Sequence, residues 1–366
     1  MHTHITQSER PLLVRIKQHV RAFALAAAVI VSAAHAHAQG CIAIKQMGDD
    51  SCSLDGLMAP TTEKWDLNVS YEHFRSHRHF SQTNQNFSRY YLGSEVINNV
   101  DQLDAAVNYQ FNARTSFTLD LPYFSATRSS LYEHDGKNRY TTSAAGIGDV
   151  RLVAQRWLFD PHSDAKTNVA IGLGLKMPTG DANAQDVFHT KTGDVTHAVD
   201  QSIQPGDGAW GYTFQLQAYR RLFARTSLYA TGFYLVNPKE TNDTRTTSAI
   251  TSFTAYNSVA DQYQARLGVS HVFLPKYNFT ASLGARLEGV PALDLIGGDR
   301  GFRRPGYVVS VEPGFSVAGK HDSFSFSLPV VLVRNRIRSA SDRLGKGAGD
   351  AAFADFLISM SYAHKW

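Results

Sequence analysis

Apolar and polar residues alternate with a period of two in many segments of this 366-residue chain. In the first clear segment Trp65, Leu67 and Val69 lie on one face, and Asp66 and Asn68 lie on the other. The same alternation returns over 103–111 and again over 117–123. A period of two is that of a β-strand with one apolar face. The chain is therefore expected to consist largely of half-exposed strands.

The connections between about twelve such segments fall into two classes. Short turns are predicted at 112–114, 160–166, 221–225, 275–278 and 319–322. Long polar loops alternate with them at 75–98, 125–145, 178–207, 237–258, 291–305 and 335–350. Transmembrane barrels alternate short periplasmic turns with long external loops, and an even strand number returns both ends to the periplasm. The pattern predicts an all-β, antiparallel, up-and-down transmembrane barrel of about twelve strands over 64–366. A soluble sandwich is the competing fold.

Aromatic residues mark the predicted strand ends. Trp366 is the last residue of the sequence, and it shares an apolar face with Phe356 and Tyr362. The C-terminal strands of outer-membrane barrels resemble this segment, so Trp366 is predicted to be an assembly signal read by the barrel assembly machinery. Further aromatics are expected to form interfacial girdles. They are Tyr71, Tyr109, Tyr123, Trp157, Trp210 and Tyr234.

The first residues have the order of an export signal. Basic residues precede an apolar run over 22–31, and a small-residue site ends at Ala38. The run is too short to span a bilayer, so 1–38 is predicted to be a cleaved signal peptide. Residues 39–63 then form a periplasmic segment or small plug. Its Cys41 and Cys52, the two cysteines of the chain, form either one disulfide loop or two free thiols.

Composition excludes several classes of function. Hydrophobic residues make up 43% of the chain and charged residues 19%, which does not fit a disordered protein or a helical membrane protein. The formal net charge of +4 is scattered along the chain, so no nucleic-acid partner is predicted. No phosphate-binding loop, dinucleotide fingerprint or zinc-protease motif is present. We therefore expect no enzyme, no cofactor and no metal.

Three glycine-rich stretches carry a family resemblance. They are 146–150 (GIGDV), 175–180 (LKMPTG) and 204–210 (QPGDGAW). The region resembles putative outer-membrane transporters grouped with the meta-pathway of phenol degradation. The resemblance implies an outer-membrane barrel and uptake of aromatic compounds. Physically, proline and glycine at these places predict strand ends, with a ligand contact as the alternative.

The polar face of the predicted strands should line the barrel interior. The lumen-lining candidates are Glu72, Asp104, Asp120, Arg151, Gln215, Gln217, Gln264, Arg266, Arg286, Glu288 and Glu312. Both signs of charge are present, so opposed groups are expected to pair across the lumen and select polar or charged solutes. The alternative is that they fill and stiffen a closed interior.

The predicted external loops are rich in arginine, histidine and aromatic residues. The groups are 75–80 (Arg75, His77, Arg78, His79, Phe80), 300–304 (Arg300, Phe302, Arg303, Arg304) and 334–343 (Arg334, Arg336, Arg338, Arg343). Such arginines either bind lipopolysaccharide phosphates, steer anionic solutes, or form a solvated surface. His77 and His79 share a face and could hold a metal ion, but no third ligand is evident beside them. His134 and Asp135 are adjacent on an extended segment, so their side chains should point apart, which disfavours a protease site.

Together these features predict a function. The chain is expected to be a channel or transporter-like barrel in the outer membrane, among lipids and lipopolysaccharide, that passes small solutes. By resemblance these solutes are hydrophobic or aromatic compounds. The alternative is a structural or adhesin-like barrel that acts through its external loops.

Overall fold

A computed structural model describes residues 63–161, 166–246, 252–344 and 349–366. The predicted signal peptide, Cys41, Cys52 and nearly all of the 39–63 segment lie outside these residues. Those predictions stay predictions.

Strands dominate the described chain. They are β1 (Trp65–Ser81), β2 (Asn84–Gln85), β3 (Ile97–Asn112), β4 (Thr115–Ser130), β5 (Tyr140–Ile147), β6 (Arg151–Trp157), β7 (Thr167–Lys176), β8 (Gln185–Thr190), β9 (Gly193–Ala198), β10 (Gly211–Phe223), β11 (Thr226–Val236), β12 (Thr241–Arg245), β13 (Tyr256–Ser258), β14 (Gln262–Leu274), β15 (Phe279–Val290), β16 (Gly306–Ala318), β17 (Asp322–Ser327), β18 (Val330–Asn335) and β19 (Ala351–Lys365). The short helices α1 (Phe87–Tyr91) and α2 (Ala340–Arg343) and three 3₁₀ turns, Gln201–Ile203, Ser252–Thr254 and Pro275–Tyr277, lie between strands.

The main sheet is a closed antiparallel barrel with twelve strand positions. Consecutive long strands pair as neighbours, β5 and β6 share one position beside β4, and β17 and β18 share one beside β16. β19 then pairs with β1 from Asp66 opposite Lys365 to Phe80 opposite Ala351. Closure leaves the first and last strands without a free edge, as a membrane-spanning sheet requires. The predicted twelve-stranded up-and-down barrel is confirmed.

Alternation sorts the side chains as the sequence predicts. Large apolar residues on the outward face are exposed, among them Leu103, Leu121, Leu152, Leu173, Leu216, Leu267, Leu283, Phe315, Phe324 and Phe356. Polar residues between them are buried on the inward face. In a soluble sandwich the apolar faces would be covered, so the competing fold is wrong. The barrel has the architecture of an outer-membrane protein. None of the helices in the described ranges is long and apolar enough to cross a membrane.

Two strand positions are interrupted beside a proline. The expected strand over 147–158 corresponds to β6, and a break at 148–150 separates it from β5, which pairs with the outer part of β4. Pro122 of β4 faces this break, and its carbonyl accepts from Gly148 N at 2.8 Å. Likewise Pro329 separates β17 from β18 within the expected strand 323–333. Proline has no N–H to donate to the ladder, so regular pairing cannot continue past it. The first resemblance stretch, 146–150, thus lies at a break within the wall.

The wall extends further outward than expected. β1 runs to Ser81, β4 runs to Ser130 and β5 begins at Tyr140, within stretches predicted to be loops. The outer parts of β1, β4 and β5 have polar residues on both faces, so they lack the apolar face that marks a lipid-facing strand. The sequence pattern therefore does not predict these extensions. On the same side, the β8–β9 hairpin covers β5, with Ser143 N donating to the Asp186 carboxylate at 2.7 Å.

Candidate functional site

The charged and amide side chains predicted to line the lumen lie on the inward face of the strands. Nine are buried, namely Glu72, Asp104, Asp120, Arg151, Gln264, Arg266, Arg286, Glu288 and Glu312. Gln215 and Gln217 are half-buried on the same face of β10, between the outward-facing Phe214 and Leu216. We call these buried, inward-facing charged residues the charged layer.

The centre of the charged layer is Arg286 on β15. Its guanidinium lies 2.7 Å from the Glu288 carboxylate and 3.6 Å from that of Glu72. Glu72 belongs to β1, which is four strand positions away through β16, β17 or β18, and β19. Because β15 and β1 are not neighbours, this ion pair spans the interior. Opposed charges in a barrel lumen create a transverse field.

A second arginine lies beside it in the same layer. Arg266 of β14 lies 3.4 Å from the Glu312 carboxylate on β16, across the intervening strand β15. Gln264 Nε2 donates to Glu288 at 3.4 Å. These side-chain contacts add to the backbone pairing of three neighbouring strands, β14, β15 and β16. Desolvated charges of this kind are tolerated because they are paired.

On the opposite wall the layer has further contacts. Arg151 of β6 lies 3.5 Å from Asp120 of β4. Gln102 Nε2 donates at 3.0 Å to both carboxylate oxygens of Asp104. Acidic residues outnumber arginines within the charged layer. The layer therefore has both signs, with more carboxylates than guanidinium groups.

Toward the periplasm, aromatic side chains line one inward wall. Trp157 is buried, with its ring 5.8 Å from that of Tyr219, and both pack with Tyr229. Trp157 was predicted to belong to an outward girdle, and that prediction is wrong. It is an even number of residues from Arg151 on β6 and therefore shares its inward face. The other five predicted girdle aromatics lie on the outward face.

Toward the external mouth the inward face becomes apolar. Phe74, Val100 and Phe124 of the wall pack with Val199 and Ile203 of the long loop after β7. Ile203 belongs to the 3₁₀ turn Gln201–Ile203 and is fully buried. This loop therefore folds into the mouth. The sequence pattern does not predict this contact, because a single isoleucine among polar residues shows no periodicity.

The three resemblance stretches meet at one place beside the wall. The Asp149 carboxylate accepts from Gly180 N and from Asp207 N, each at 3.0 Å, and Lys176 Nζ lies 3.7 Å from it. Lys176 also pairs with Asp207. The stretches thus bind each other and fasten the loop that enters the mouth. Their described contacts support a structural role, the first of the two roles that the sequence left open.

Several arginines near the external mouth pair with carboxylates of the loops. Arg304 reaches Asp200 at 2.6 Å, and Arg128 of β4 lies 3.5 Å from the same carboxylate. Burial opposes ionisation of Asp200, but the two guanidinium groups hold its pKa well below the usual range. Arg303 likewise pairs with Asp294 at 2.6 Å. These contacts attach the loops after β7 and β15 to the barrel mouth.

The histidine candidates lie apart from one another. His77 Nε2 lies 3.7 Å from Asp355, whereas His79 lies 3.2 Å from Asp350 and accepts from Val96 N at 2.8 Å. His134 stacks on Phe188 with ring centroids 5.2 Å apart. Among the described residues no group of three histidine, cysteine or acidic side chains is arranged to hold a metal ion.

Trp366 lies at the seam of the barrel. Its N–H donates to the Trp65 carbonyl at 3.0 Å, and Trp65 N donates back at 3.3 Å. The ring is about half exposed and stacks on His364 with centroids 5.8 Å apart. A role in assembly stays a prediction.

Comparison with known proteins gives the fold alone. No protein-family model matches the chain, and no curated protein matches it. The structure is similar to that of an outer membrane channel from Pseudomonas putida F1, with a TM-score of 0.57 and 15% identity over 88% of this chain and 100% of that chain. The P. putida toluene transporter TodX gives a TM-score of 0.41 at 10% identity, covering 85% of this chain and 91% of that one, and no argument rests on that likeness. The phenol-pathway resemblance stays a prediction.

Proposed function

We propose that the chain is an outer-membrane channel that passes small solutes, with hydrophobic or aromatic compounds as its substrates. The ion pair between Arg286 and Glu72 carries the proposal, because it places a paired, desolvated charge network across the interior of a closed barrel. The similar solved structure is described as an outer membrane channel, which supports the same role.

The inward face offers a solute three successive environments. At the mouth, Phe74, Val100 and Phe124 are covered by Val199 and Ile203, so they offer a hydrophobic solute an apolar surface only when the loop moves away. Below it, the charged layer holds Arg266 and Arg286 among carboxylates. Further toward the periplasm the wall is aromatic again. In this proposal the charged layer is the selective barrier, and its side chains must move for a solute to pass.

The arrangement of the loops supports a channel over the adhesin-like alternative. Ile203 packs inside the mouth, and Arg304 joins its loop to that after β15 through Asp200. Loops that fold inward over a lumen are suited to controlling access. In this proposal the chain is a channel and not an enzyme, and its exposed outward face contacts membrane lipids and lipopolysaccharide.

Solute uptake into liposomes tests the proposal directly. The refolded protein should admit small aromatic solutes, and both Arg266→Ala and Arg286→Ala should abolish uptake, because each leaves carboxylates unpaired at the barrier. Arg338→Ala is the control, since Arg338 is exposed outside the barrel strands. A heat-sensitive gel shift should show that each variant is folded. Wild-type barrels that give neither uptake nor conductance would refute transport and leave the fold intact.

A further inference from the structure

His134 joins the loop after β4 to the β8–β9 hairpin. Its Nδ1 atom accepts a hydrogen bond from the backbone N–H of His189 on β8 at 3.2 Å. The side chain is buried, and its ring stacks on that of Phe188 at an interplanar angle of 22°. This contact is a second attachment of the hairpin to the barrel, in addition to the bond between Asp186 and Ser143.

The direction of this hydrogen bond determines the protonation state of the ring. A backbone N–H can only donate, so Nδ1 must offer a lone pair, and His134 must be neutral with its proton on Nε2. Nε2 is buried and has no hydrogen-bond partner among the described residues. An imidazolium carries a proton on both nitrogens, so it would point Nδ1–H at the His189 N–H and lose the bond.

The surroundings of His134 are aromatic. The centroid of the Tyr140 ring on β5 lies 5.2 Å from that of His134, and the centroid of the His189 ring lies 6.1 Å away. The Tyr140 and His189 rings pack on each other at 4.5 Å. A positive charge on His134 would lose hydration here without gaining a hydrogen-bond acceptor at Nε2 in return.

Charged groups approach His134 from the loop and from the hairpin. Three carboxylates favour its protonation, and all three have other partners. They are Glu133 with Arg128 at 2.6 Å, Asp135 with Asn138 at 2.8 Å and Asp186 with Ser143 at 2.7 Å. His189 opposes protonation, and Lys191 of the hairpin turn is a further positive charge, near Gly136. Burial, the larger effect, lowers the pKa of the His134 imidazole below its ordinary value despite these carboxylates.

The attachment therefore depends on pH in a defined direction. The attached hairpin favours the neutral ring, so the attachment is fully stabilised above the ordinary histidine pKa of about 6.5. Its stability is lost as the pH falls from there toward the lowered pKa of His134. Carboxyl groups ordinarily titrate near pH 4, below this window.

The hairpin leads directly into the segment that fills the mouth. β9 ends at Ala198, and Val199 and Ile203 follow it into the apolar cluster with Phe74. A hairpin that is held less firmly therefore holds the start of this segment less firmly.

We propose that His134 is a pH switch that attaches the β8–β9 hairpin to the barrel at neutral pH and loosens it in mild acid. Protonation of Nδ1 replaces the hydrogen bond from His189 by a contact between two N–H groups. This inference deepens the proposed channel function, on which it rests, by naming a regulation of the mouth: solutes should enter faster in mild acid.

Hydrogen exchange of the folded barrel in detergent tests the attachment. Rates at each pH are divided by those of an unstructured peptide, because intrinsic exchange also depends on pH. Protection of the His189 amide should fall about fivefold from about pH 7 to about pH 5, which is the effect of one lost hydrogen bond. The segment 82–96 is the internal control, because the carboxylate of Asp350 that holds it through Arg89 should stay ionised over this range.

Two variants identify the group that titrates. His134→Gln keeps an oxygen that can accept from the His189 N–H and does not titrate, so protection should be the same at both pH values. The matched control His189→Gln leaves the backbone donor in place and removes the other histidine of the contact, so protection should still fall. Unchanged protection in wild-type protein, or an equal fall in His134→Gln, would overturn the proposal.

A second measurement applies if His134→Gln loses protection at both pH values. Exchange of the imidazole Cε1 hydrogen of His134, followed in wild-type protein, gives the titration of that ring directly. Its midpoint should lie below about pH 6.5 and coincide with the loss of amide protection at His189. A midpoint at or above about pH 6.5 would overturn the proposal, because the attached hairpin would then favour the imidazolium.

Uptake into liposomes separates this inference from the channel proposal. The probe is phenylacetamide, a neutral aromatic compound, with protein-free liposomes as the blank. Wild-type protein should admit it faster at about pH 5 than at about pH 7, and His134→Gln should admit it equally at both. A pH-dependent attachment without uptake at either pH would refute the channel and leave the switch. Uptake without a pH-dependent attachment would refute the switch and leave the channel.

Discussion

The backbones of Gly180 and Gly206 lie in direct contact. A Cβ atom added to Gly180 would lie 2.7 Å from the Gly206 Cα, and one added to Gly206 would lie 2.8 Å from the Gly180 Cα. The contact joins the start of the long loop after β7 to the segment that returns to β10, next to the break between β5 and β6. Only glycine, which has no Cβ atom, permits two backbone segments to approach each other so closely.

Gly206→Ala should therefore detach the loop that enters the mouth. The methyl group must displace backbone rather than a flexible side chain, and overpacking of this kind costs about 1–3 kcal/mol. Limited proteolysis of the folded barrel should show faster cleavage within 177–210 than in wild-type protein. Gly146→Ala is the control, because its Cβ would meet only Pro205 at an ordinary 3.7 Å. Equal cleavage rates for the two variants would show that the glycine contact does not hold the loop.

Asp350 should make the first external loop sensitive to acid. It lies 2.9 Å from Arg89 of α1 and 3.2 Å from His79. Burial opposes its ionisation, but these partners hold the pKa of the carboxyl well below its usual range. A lowered pKa stabilises the docked loop above the ordinary carboxyl pKa of about 4, and the stabilisation is lost as the pH falls further toward the lowered value.

Hydrogen exchange of residues 82–96 measures this dependence. Protection in wild-type protein should be constant from about pH 7 to 5 and should fall below about pH 4. Asp350→Asn should show low protection throughout that range. Loss of protection in wild-type protein centred near pH 6 would contradict the assignment, since a histidine would then control the loop.

The barrel was predictable from the sequence because every strand that contacts lipid needs apolar side chains on its outward face. Leu103, Leu121 and Leu152 face outward at alternate positions, so the period of two is visible in the sequence. The two strand breaks were not predicted, although Pro122 and Pro329 are visible there. A single proline is compatible with an edge, a bulge or a turn, and only the register of the neighbouring strand decides between them.

The charged layer was predictable as a set of inward residues but not as contacts. The two-residue alternation along each strand assigns Glu72 and Arg286 to the inward face. Their ion pair, however, depends on which strands face each other across the closed barrel. The apolar mouth was not predictable, because Ile203 comes from a loop without periodicity. The prediction for Trp157 was wrong because it rested on the position of this residue near a strand end. Trp157 is six residues from Arg151, so the alternation along the strand places both on the inward face.

Gly268→Ala should disturb the aromatic wall below the charged layer. A Cβ at this position would lie 2.5 Å from Tyr229 Cζ and 2.7 Å from the Gly284 backbone. The Tyr229 ring must therefore move, and the expected result is slower solute uptake by a barrel that is still folded. Adding Tyr229→Leu to Gly268→Ala should restore part of the uptake by removing the ring that clashes. No difference between the single and double variants would show that Tyr229 does not narrow the path.

Trp366→Ala should reduce assembly of the barrel in cells while the purified chain still folds. The backbone pair between Trp366 and Trp65 survives the substitution, so little of the closing ladder is lost. In contrast, the substitution removes the C-terminal aromatic side chain that the barrel assembly machinery is predicted to recognise. The measurement is the heat-modifiable fraction in isolated outer membranes, compared with refolding in detergent.

Trp65→Ala separates recognition from packing at the same seam. The Trp65 ring is tilted against that of Tyr109 with centroids 4.7 Å apart. It is exposed to a similar degree as Trp366, so the two variants remove comparable aromatic surface. If Trp366 is a signal, Trp366→Ala should lower the assembled fraction far more than Trp65→Ala, and the two should refold equally well. Equal losses in membranes would mean that the seam needs aromatic packing at both ends, and that the C-terminal tryptophan is not read separately.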